Sequence, residues 1–378
     1  MNVLQIVFWT GVGVIVLAYA GYPLAVWLLA AAFPRPVSKA PVTGSVSFIV
    51  AAHNEAGHIA RRVENLLAQK NVEIAQVIVG SDGSTDQTES IVAGIPDARV
   101  KLVALPERRG KPAVLNACVA AATGDYLVFC DARQTFTDEA TSHLLANFAD
   151  ESVKCVSGEL VIRPRADGSL DAGLYWRYEK FIRRSESRLY STIGASGAIC
   201  AVRREDFVEL AEDILLDDVA IPLHAQRAGG RTVFEPEAVA WDEPISSDRE
   251  WSRKVRTLAG NFQLLFAPRR TANPFIRATC LQFLGHKVSR LLVPGALLMV
   301  LVGTFGFSGG LFWTLLGFEL AGVASAVAGW TIERAGRPVG LLGAPLTLVM
   351  LNLAVVAGFW GWLTGTQDIL WKRRQETG

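Results

Sequence analysis

Apolar residues divide the chain into a central region of mixed polarity and two nearly uncharged ends. Residues 1–34 contain no charged side chain. After residue 290 the chain turns apolar again in three blocks, at 291–307, 311–330 and 339–364. A membrane-spanning helix needs roughly 20 apolar residues, and four such blocks are hard to explain as buried helices of a soluble domain. We therefore expect one spanning helix over 1–34, an interfacial segment over 274–290 and about three spanning helices over 291–366.

Basic residues beside the apolar blocks indicate an orientation. Arg35 and Lys39 follow the first block, and Arg334 and Arg337 lie between the last two. Basic residues near spans favour the cytoplasmic side, so we expect a multi-pass protein of the inner (plasma) membrane whose central region faces the cytoplasm. The basic tail, 371–378, would emerge on the opposite side if the last block crosses once. A last block that breaks at its proline or re-enters stays open as the alternative.

The central region, residues 40–270, alternates between apolar runs and amphipathic runs. The apolar runs predict four strands, at 45–52, 76–82, 99–105 and 125–130. Between the first two strands, apolar residues recur at helical spacing from Ile59 to Leu67, and 111–122 reads as another helix with proline near its start. The GSTDQTES segment, 83–90, opens a further helix with capping residues. This alternation predicts an α/β fold, a mostly parallel sheet covered by helices on both faces.

Polar turns follow three of the predicted strands. They are HNE at 53–55, SDGSTD at 81–86 and CDAR at 130–133. Because the carboxyl ends of parallel strands meet at one edge of a sheet, their acidic side chains should gather into a site that binds hydroxyl groups, a metal ion or both. No strand is followed by GxGxxG or by GxxxxGK[ST], so other groups must hold the phosphates of any nucleotide.

The net charge and the cysteine content limit which ligands and which cellular compartment are expected. A formal net charge of +1 provides no overall field that would attract nucleic acid, and we expect no nucleic-acid partner. The five cysteines lack CxxC spacing, which argues against a zinc site and against a disulfide framework. A reducing, cytosol-facing compartment fits this pattern.

Five segments carry a family resemblance in a fixed order. They are AAHNEAGHI, VGSDGSTDQT, ERRGKPAVLNACVAAATGDYLVFCDAR, GASGAICAVRRE and ILLDDVAIPLHAQRAGGR. Together they resemble family 2 glycosyltransferases of the GT-A fold over about residues 45–260, and the flanking apolar blocks resemble the polysaccharide-synthase branch. The resemblance implies a Rossmann-like GT-A domain, a nucleotide-sugar donor, best read as a UDP-sugar, and a lipid-linked saccharide or growing glycan as acceptor beside membrane lipids.

The resemblance assigns donor-binding roles to seven residues. They are Glu55, Asp82, Lys111, Asp131, Arg133, Arg253 and Arg256. Glu55 and Asp82 would accept hydrogen bonds from the nucleoside, and Lys111 would meet the diphosphate as a point charge. Two alternatives stay open: Asp82 caps the next helix, and Lys111 belongs to a solvated basic loop.

The CDAR turn departs from the family pattern. Asp131 matches the first carboxylate of the family's DxD metal motif, but Arg133 stands where the second would be. Mg²⁺ and Mn²⁺ take oxygen ligands. The resemblance therefore implies a Mg²⁺ or Mn²⁺ cofactor held by Asp131 and diphosphate oxygens, with Arg133 paired to a phosphate or to a neighbouring acid. A role for Arg133 as a salt-bridge partner alone stays open.

The stretch 249–261 stands where processive members carry QxxRW on a helix beside the membrane. Arg253 and Arg256 occupy the Gln and Arg positions, and Thr257 occupies the Trp position. Spaced i and i+3, the two arginines share a helix face and are expected to bind diphosphate. A basic helix on a lipid surface is the alternative. The missing tryptophan removes a surface on which an acceptor sugar would stack and weakens the case for processivity.

The acceptor side is assigned to two further segments. Asp218 matches the family's catalytic base, which removes the acceptor proton during inverting transfer, and Asp217 would support it. The alternative is that both acids only cap the following helix. Ser196 and Gly197 match the acceptor-side segment, where small residues let backbone approach a sugar, although a tightly packed turn would explain them equally.

These assignments predict an inverting hexosyl- or N-acetylhexosaminyl-transferase that adds single sugars or extends short chains. A processive synthase that exports its own polymer is the alternative within the same class. A catalytically inactive scaffold that binds sugar-nucleotide is the alternative from a different class. Such a scaffold need not keep Asp131 and Asp218, so their presence favours the enzyme.

Overall fold

The four apolar runs predicted as strands lie side by side in one sheet. They are β1 (Ser45–Ala52), β2 (Glu73–Asp82), β3 (Val100–Leu105) and β4 (Tyr126–Asp131). They are parallel, in the order β3-β2-β1-β4. β1 is buried at every residue after Ser45, as expected of a parallel strand covered on both faces. The predicted parallel α/β arrangement is confirmed.

The computed structural model describes residues 1–163, 174–227, 229–243, 247–268, 273–275, 277–337 and 339–366. Within these residues four more strands extend the sheet: β5 (Thr135–Phe136), β6 (Val153–Ile162), β7 (Cys200–Arg203) and β8 (Arg231–Asp242). The full order is β3-β2-β1-β4-β7-β6-β8-β5. β7 is antiparallel to both of its neighbours, β5 is antiparallel to β8, and β6 and β8 are parallel. The result is a mixed, mostly parallel sheet.

Helices flank the sheet and continue at both ends of the described chain. They are α1 (Val3–Val16), α2 (Tyr22–Ala32), α3 (Ile59–Leu67), α4 (Thr88–Ala93), α5 (Lys111–Ala120), α6 (Ala140–Ala146), α7 (Leu174–Leu189), α8 (Asp217–Arg227), α9 (Ser247–Phe266), α10 (Arg277–Gln282), α11 (Ser289–Leu291), α12 (Val293–Thr304), α13 (Gly309–Arg334) and α14 (Gly343–Leu363). α4 begins later than predicted, because a turn precedes it in which Asp86 accepts a hydrogen bond from the Thr88 backbone N–H at 2.9 Å.

Two apolar layers hold the sheet between helices. Successive residues of β1 point to opposite faces, so Phe48 belongs to one layer and Ile49 to the other. The Phe48 layer packs against α3 and α6, and the Ile49 layer against α5 and α8. Each fully buried side chain of this size contributes about 1.5–3 kcal/mol relative to exposure. The layer on the Ile49 side thereby fixes the starts of α5 and α8, where the candidate site lies.

Three helices in the described residues are long and apolar enough to cross a membrane. They are Val3–Ala32, which joins α1 and α2 through a π-helical turn at Leu17–Gly21, then Gly309–Arg334 and Gly340–Leu363. Only 6 % of the 18-residue apolar stretch within α13 is buried by protein, which leaves the apolar side chains of that stretch for lipid. The expected separate span over 291–307 is not a single straight helix: α12 meets the segment Thr279–Leu291 at an angle of 52°, and only the bent pair together would make a fourth span.

The sheet domain contacts the apolar helices through α7 and α9. The Tyr22 hydroxyl of α2 donates to Glu186 of α7 at 2.5 Å. In α14, a Cβ placed on Gly358 would lie 2.9 Å from the Ala259 nitrogen of α9, so only glycine allows the two helices this close. The predicted interfacial segment 274–290 contains α10 and a π-helical turn, Phe283–Val288, which leads into α11. The predicted tail 371–378 lies outside the described residues.

Candidate active site

Asp82 sits at the carboxyl end of β2 and organises the turn that begins α5. Its side chain is fully buried. Its carboxylate accepts hydrogen bonds from the backbone N–H groups of Arg109 at 2.7 Å and Gly110 at 3.0 Å. Gly110 has φ +93°, a conformation that favours glycine. It directly precedes Lys111, the first residue of α5. Asp82 therefore positions Lys111 rather than capping α4, and its predicted contact with a nucleoside stays a prediction.

Lys111 joins two acidic segments that are far apart in sequence. Its Nζ lies 2.9 Å from Asp131 Oδ1 at the end of β4 and 3.1 Å from Asp217 Oδ2 at the start of α8. The lysine side chain is only 13 % exposed, which excludes a solvated loop. Burial alone would lower the pKa of Lys111, but the two carboxylates outweigh burial and hold that pKa above its usual value. A permanent positive charge is thus fixed at the strand ends.

Asp217 and Asp218 are the first two residues of α8. The Asp217 carboxylate is committed to Lys111, whereas the Asp218 backbone carbonyl accepts a hydrogen bond from Ala195 N–H at 2.8 Å. Burial is the main cause that raises the pKa of Asp218, the Asp217 charge raises it further, and Lys111 opposes the shift. A carboxyl group with a raised pKa beside charged neighbours is a candidate proton acceptor.

The turn that contains Ser196 and Gly197 closes over these charges. The Ser196 backbone N–H donates to the Ser157 hydroxyl at 2.9 Å, which ties the turn to β6. A Cβ placed on Gly197 would lie 3.5 Å from Lys111 Nζ and 3.7 Å from Asp218 Cβ. The predicted acceptor-side residues therefore do lie next to the predicted base, and the glycine keeps the space above the base free of a side chain.

Arg133 turns toward an acid on the neighbouring strand. Its Nε lies 3.9 Å from Glu55 Oε1, and both residues follow adjacent parallel strands, β4 and β1. The Glu55 backbone N–H donates to Thr88 Oγ1 at 2.8 Å, which fixes the loop after β1 against α4. The arginine side chain is 40 % exposed, so this ion pair is screened and weak. Glu55 and Arg133 form a second charged pair at the sheet edge.

The residues present fit a divalent cation only in part. In the described chain, no three His, Cys, Asp or Glu side chains are close enough together to hold a metal ion. Asp131 is 39 % exposed and supplies a hard carboxylate oxygen at the strand end. Such a donor set suits Mg²⁺ or Mn²⁺ when a ligand contributes the remaining oxygens.

The two arginines of α9 differ in position. Arg256 is partly buried, and its Nη2 donates to the Leu215 carbonyl at 3.3 Å, in the loop that leads to α8. Arg253, one turn earlier, is exposed. The structure therefore brings Arg256 to the candidate site and leaves Arg253 on the outer face of the helix.

Two cations near Asp218 were not anticipated from the sequence. A cavity of about 70 Å³ borders Asp218, and Arg183 of α7 and Lys287 of the π-helical turn also line it. In the sequence, Lys287 could be noticed as a charged residue shortly before the apolar block that starts at 291. Arg183, which lines the same cavity, lies 104 positions earlier, so no local sequence pattern connects the two residues.

Comparisons with known proteins relate the chain to glycosyltransferases. Residues 47–210 match the family model "Glycosyl transferase family 2". Poly-beta-1,6-N-acetyl-D-glucosamine synthase of Staphylococcus aureus is 27 % identical over 228 residues, 58 % of this chain and 55 % of the relative. Succinoglycan biosynthesis protein ExoO of Rhizobium meliloti is 41 % identical over 102 residues, 27 % of this chain and 28 % of the relative. The chain thus spans about half the length of the first of these curated relatives, and less of the second.

A solved structure shares the whole architecture. Mannosyltransferase PcManGT from Pyrobaculum calidifontis, solved in complex with GDP-Man and Mn²⁺, superposes with a TM-score of 0.72 at 22 % identity. The match covers 96 % of this chain and 99 % of that chain, which includes the apolar helices at both ends. The fold is therefore of the GT-A type with attached apolar helices. Residues 47–210 therefore match glycosyl transferase family 2, the family that the sequence motifs resemble.

Proposed function

We propose that this protein is a membrane-integrated, inverting glycosyltransferase that moves a sugar from a nucleotide-sugar to a lipid-linked saccharide or growing glycan. One observation carries the proposal. The Lys111 ammonium is held between Asp131 and Asp217 at the carboxyl ends of the strands, and the partly buried Asp218 lies beside it. Opposite charges arranged in this way suit a reaction with an anionic leaving group and an acceptor that must lose a proton.

The donor's diphosphate would bind near Lys111. The lysine provides a fixed positive charge for phosphate oxygens, and Arg256 provides a second one from α9. Asp131, together with those oxygens, would hold Mg²⁺ or Mn²⁺. When bound, the cation would neutralise negative charge on the departing nucleotide. Glu55, at the end of β1, would contact the nucleoside.

Asp218 would act as the base. One carboxylate oxygen takes the proton of the acceptor hydroxyl as that oxygen forms a bond to the anomeric carbon of the sugar. The bond from that carbon to the phosphate oxygen breaks on the opposite face, and its electron pair leaves with the nucleoside diphosphate, so the anomeric configuration inverts. The raised pKa of Asp218 makes it a stronger base than an exposed aspartate. This feature favours an enzyme over an inactive scaffold that only binds sugar-nucleotide.

The names of two similar proteins point to different sugars and leave the nucleotide of the donor open. The staphylococcal relative is named for a polymer of N-acetyl-D-glucosamine, and PcManGT was solved with GDP-Man. We propose a UDP-sugar donor and a hexosyl or N-acetylhexosaminyl group. Thr257 replaces the aromatic residue of processive members, so we propose single additions or short-chain extension, with processive synthesis and export as the alternative.

The apolar helices support a reaction that takes place at a membrane. The three helices long enough to span a bilayer and the basic residues beside them support a multi-pass protein of the inner membrane with its catalytic domain in the cytoplasm. Labelling of Cys280 or of an engineered loop cysteine by an impermeant reagent in intact cells would contradict this orientation.

A donor panel tests the proposal. Membranes containing the protein are incubated with radiolabelled UDP- and GDP-sugars, and label is followed into solvent-soluble lipid and into insoluble polymer. We expect one donor to label the lipid fraction or short glycans in a reaction that needs added Mg²⁺ or Mn²⁺. Membranes carrying Asp218→Asn serve as the control. No incorporation from any donor above that control would contradict the proposal.

A further inference from the structure

One face of α3 carries polar side chains where it packs on the sheet domain. Arg62, Asn65 and Gln69 recur at i, i+3 and i+7, so they share a face of the helix. Arg62 is 1 % exposed and Gln69 is 6 % exposed. Polar side chains lose their water at such positions, and burial there is unfavourable unless other groups replace the lost hydrogen bonds. The contacts of this polar stripe therefore indicate what it holds.

The polar stripe faces the segment that follows the CDAR turn. Asn65 Oδ1 accepts a hydrogen bond from the Phe136 backbone N–H at 2.8 Å, and Asn65 Nδ2 donates to the Phe136 carbonyl at 3.0 Å. Gln69 Nε2 donates to the Thr137 carbonyl at 2.9 Å. β5 is two residues long and ends the sheet order, so its backbone depends on these side chains for hydrogen bonds that a second neighbouring strand would supply.

The Arg62 guanidinium lies between the two ends of this segment. Its Cζ is 4.1 Å from the centroid of the Phe136 ring, three residues after the turn. Burial raises the pKa of the Cys130 thiol at the start of the turn, and the nearby charge of Arg62 opposes that rise. Arg62 Nη1 also donates to Asn65 Oδ1 at 2.9 Å and so orients the amide that holds Phe136. One side chain thus contacts the segment after the turn and acts on the residue that begins it.

The stability of the core does not explain an arginine at this position. Among the described residues, Arg62 Nε and Nη2 have no hydrogen-bond partner. A buried charge whose hydrogen bonds are incomplete is unfavourable, and apolar side chains of similar volume often replace buried charged groups with no loss of stability. An apolar residue in α3 would therefore suit the core at least as well.

The CDAR turn is held from both faces of the sheet. Cys130 and Phe136 belong to the Phe48 layer, on which α3 packs. Because side chains alternate along a strand, Asp131 points to the other face, where its Oδ1 lies 2.9 Å from Lys111 Nζ. Arg133, between β4 and β5, reaches Glu55. A shift of the backbone over 130–136 would move the side chains of both Asp131 and Arg133.

We propose that Arg62 is a positioning residue for the CDAR turn: it holds the backbone on both sides of the turn and so sets Asp131 and Arg133 for the donor's diphosphate and its metal ion. The inference rests on the proposed glycosyl transfer. It adds to the donor site a residue outside the five segments that carry the family resemblance. Groups that orient a metal-binding carboxylate typically change metal affinity by about 10–100-fold when they are removed.

Arg62→Met in the full chain, solubilised in detergent, tests this assignment, because methionine keeps an unbranched apolar side chain and removes the guanidinium. We expect the thermal midpoint to stay unchanged or to rise. Calorimetric affinity for Mn²⁺, titrated in the presence of UDP and in a second series of GDP, should fall about ten-fold or more. Hydrogen exchange of the backbone amides of 131–137 should become faster, and exchange of 81–86 should stay the same. Arg61→Met is the matched control, because Arg61 is exposed on the same turn of α3 and its removal should change none of these quantities.

Mn²⁺ affinity that is equal in Arg62→Met and the parent overturns the inference. If Arg62→Met lowers the midpoint or does not fold, Phe136→Leu decides, since it removes the ring beside the guanidinium and keeps an apolar side chain. Weaker Mn²⁺ binding by that variant supports the inference, and unchanged binding overturns it.

Failure of the proposed function has a different signature. Absence of sugar transfer from every donor, with Mn²⁺ binding that still depends on Arg62, would reject the proposed function alone. If the parent binds Mn²⁺ with neither nucleotide, the proposed function fails and hydrogen exchange decides the positioning role. Faster exchange of 131–137 in Arg62→Met then supports that role, and unchanged exchange overturns it.

Discussion

Lys111→Met removes the ammonium that joins the end of β4 to the start of α8 and leaves their carboxylates without a counter-charge. Removing one partner of a buried ion pair typically costs about 3–5 kcal/mol. Asp131 is 39 % exposed, so water screens its share, whereas Asp217 is 11 % exposed and loses most of its compensation. We therefore expect the free energy of unfolding to fall by about 3 kcal/mol, the lower end of that range.

Thermal unfolding of the detergent-solubilised chain, followed by tryptophan fluorescence at one scan rate, measures the effect. For a domain of this size the expected loss corresponds to a decrease of about 6–12 °C in the midpoint. Lys70→Met is the matched control. Its ammonium lies 2.6 Å from Asp138, closer than either contact of Lys111, but the two side chains are 62 % and 69 % exposed, so its removal should leave the midpoint unchanged.

The double variant Lys111→Met/Asp217→Asn identifies the cause. Neutralising Asp217 removes the uncompensated charge, so part of the lost stability should return. If Lys111→Met unfolds at the same temperature as Lys70→Met, the buried bridge is not a stabilising feature. If adding Asp217→Asn does not raise the unfolding midpoint of Lys111→Met, the lost stability comes from packing of the lysine side chain, and the electrostatic reasoning is wrong.

Three further predictions concern the donor site, the base and the metal. Arg256→Ala should weaken UDP binding in calorimetry by about 1.5–3 kcal/mol, whereas the exposed Arg253→Ala should change it less, and equal losses would contradict this assignment. The pKa of Asp218 is raised by burial and then by Asp217, so the transfer rate should begin to fall at a higher pH than an ordinary carboxyl group would give. Asp217→Asn should shift that fall to lower pH. A pH profile that does not move would contradict the effect of Asp217 on Asp218. Arg133→Asp should tighten Mn²⁺ binding in the absence of nucleotide, because it adds a carboxylate at the strand end, and unchanged calorimetric titration would show that position 133 lies away from the metal.

Local sequence patterns predicted the first half of the sheet well. The strands at 45–52, 76–82, 99–105 and 125–130 match β1 to β4 within a few residues, because each is a continuous apolar run bounded by polar turns. The second half was not predicted in detail. β7 is only four residues long and pairs antiparallel with β4 and β6, so its place in the sheet depends on contacts between distant segments.

The candidate site also has one part that the sequence predicted and one part that it did not. The acids at the ends of β1, β2 and β4 could be expected to share one edge, since parallel strands bring their carboxyl ends together. The bridge from Lys111 to Asp217 could not be expected, because it depends on how α8 packs against the sheet 106 positions later. The burial of Asp82 on the backbone N–H groups of its neighbouring turn was also missed, since sequence shows a carboxylate but not what solvates it.

The most direct test of the account compares Asp218→Asn with Asp217→Asn. For each variant the initial rate of sugar transfer in membranes is measured with the active donor, and UDP affinity is measured by calorimetry. The account predicts that Asp218→Asn lowers the transfer rate by about 10²–10⁴ and leaves UDP affinity unchanged, because a base acts on the acceptor and not on the nucleotide. Asp217→Asn should lower the rate less, since it acts through Lys111. Substantial transfer by Asp218→Asn would place the base elsewhere and contradict the central claim.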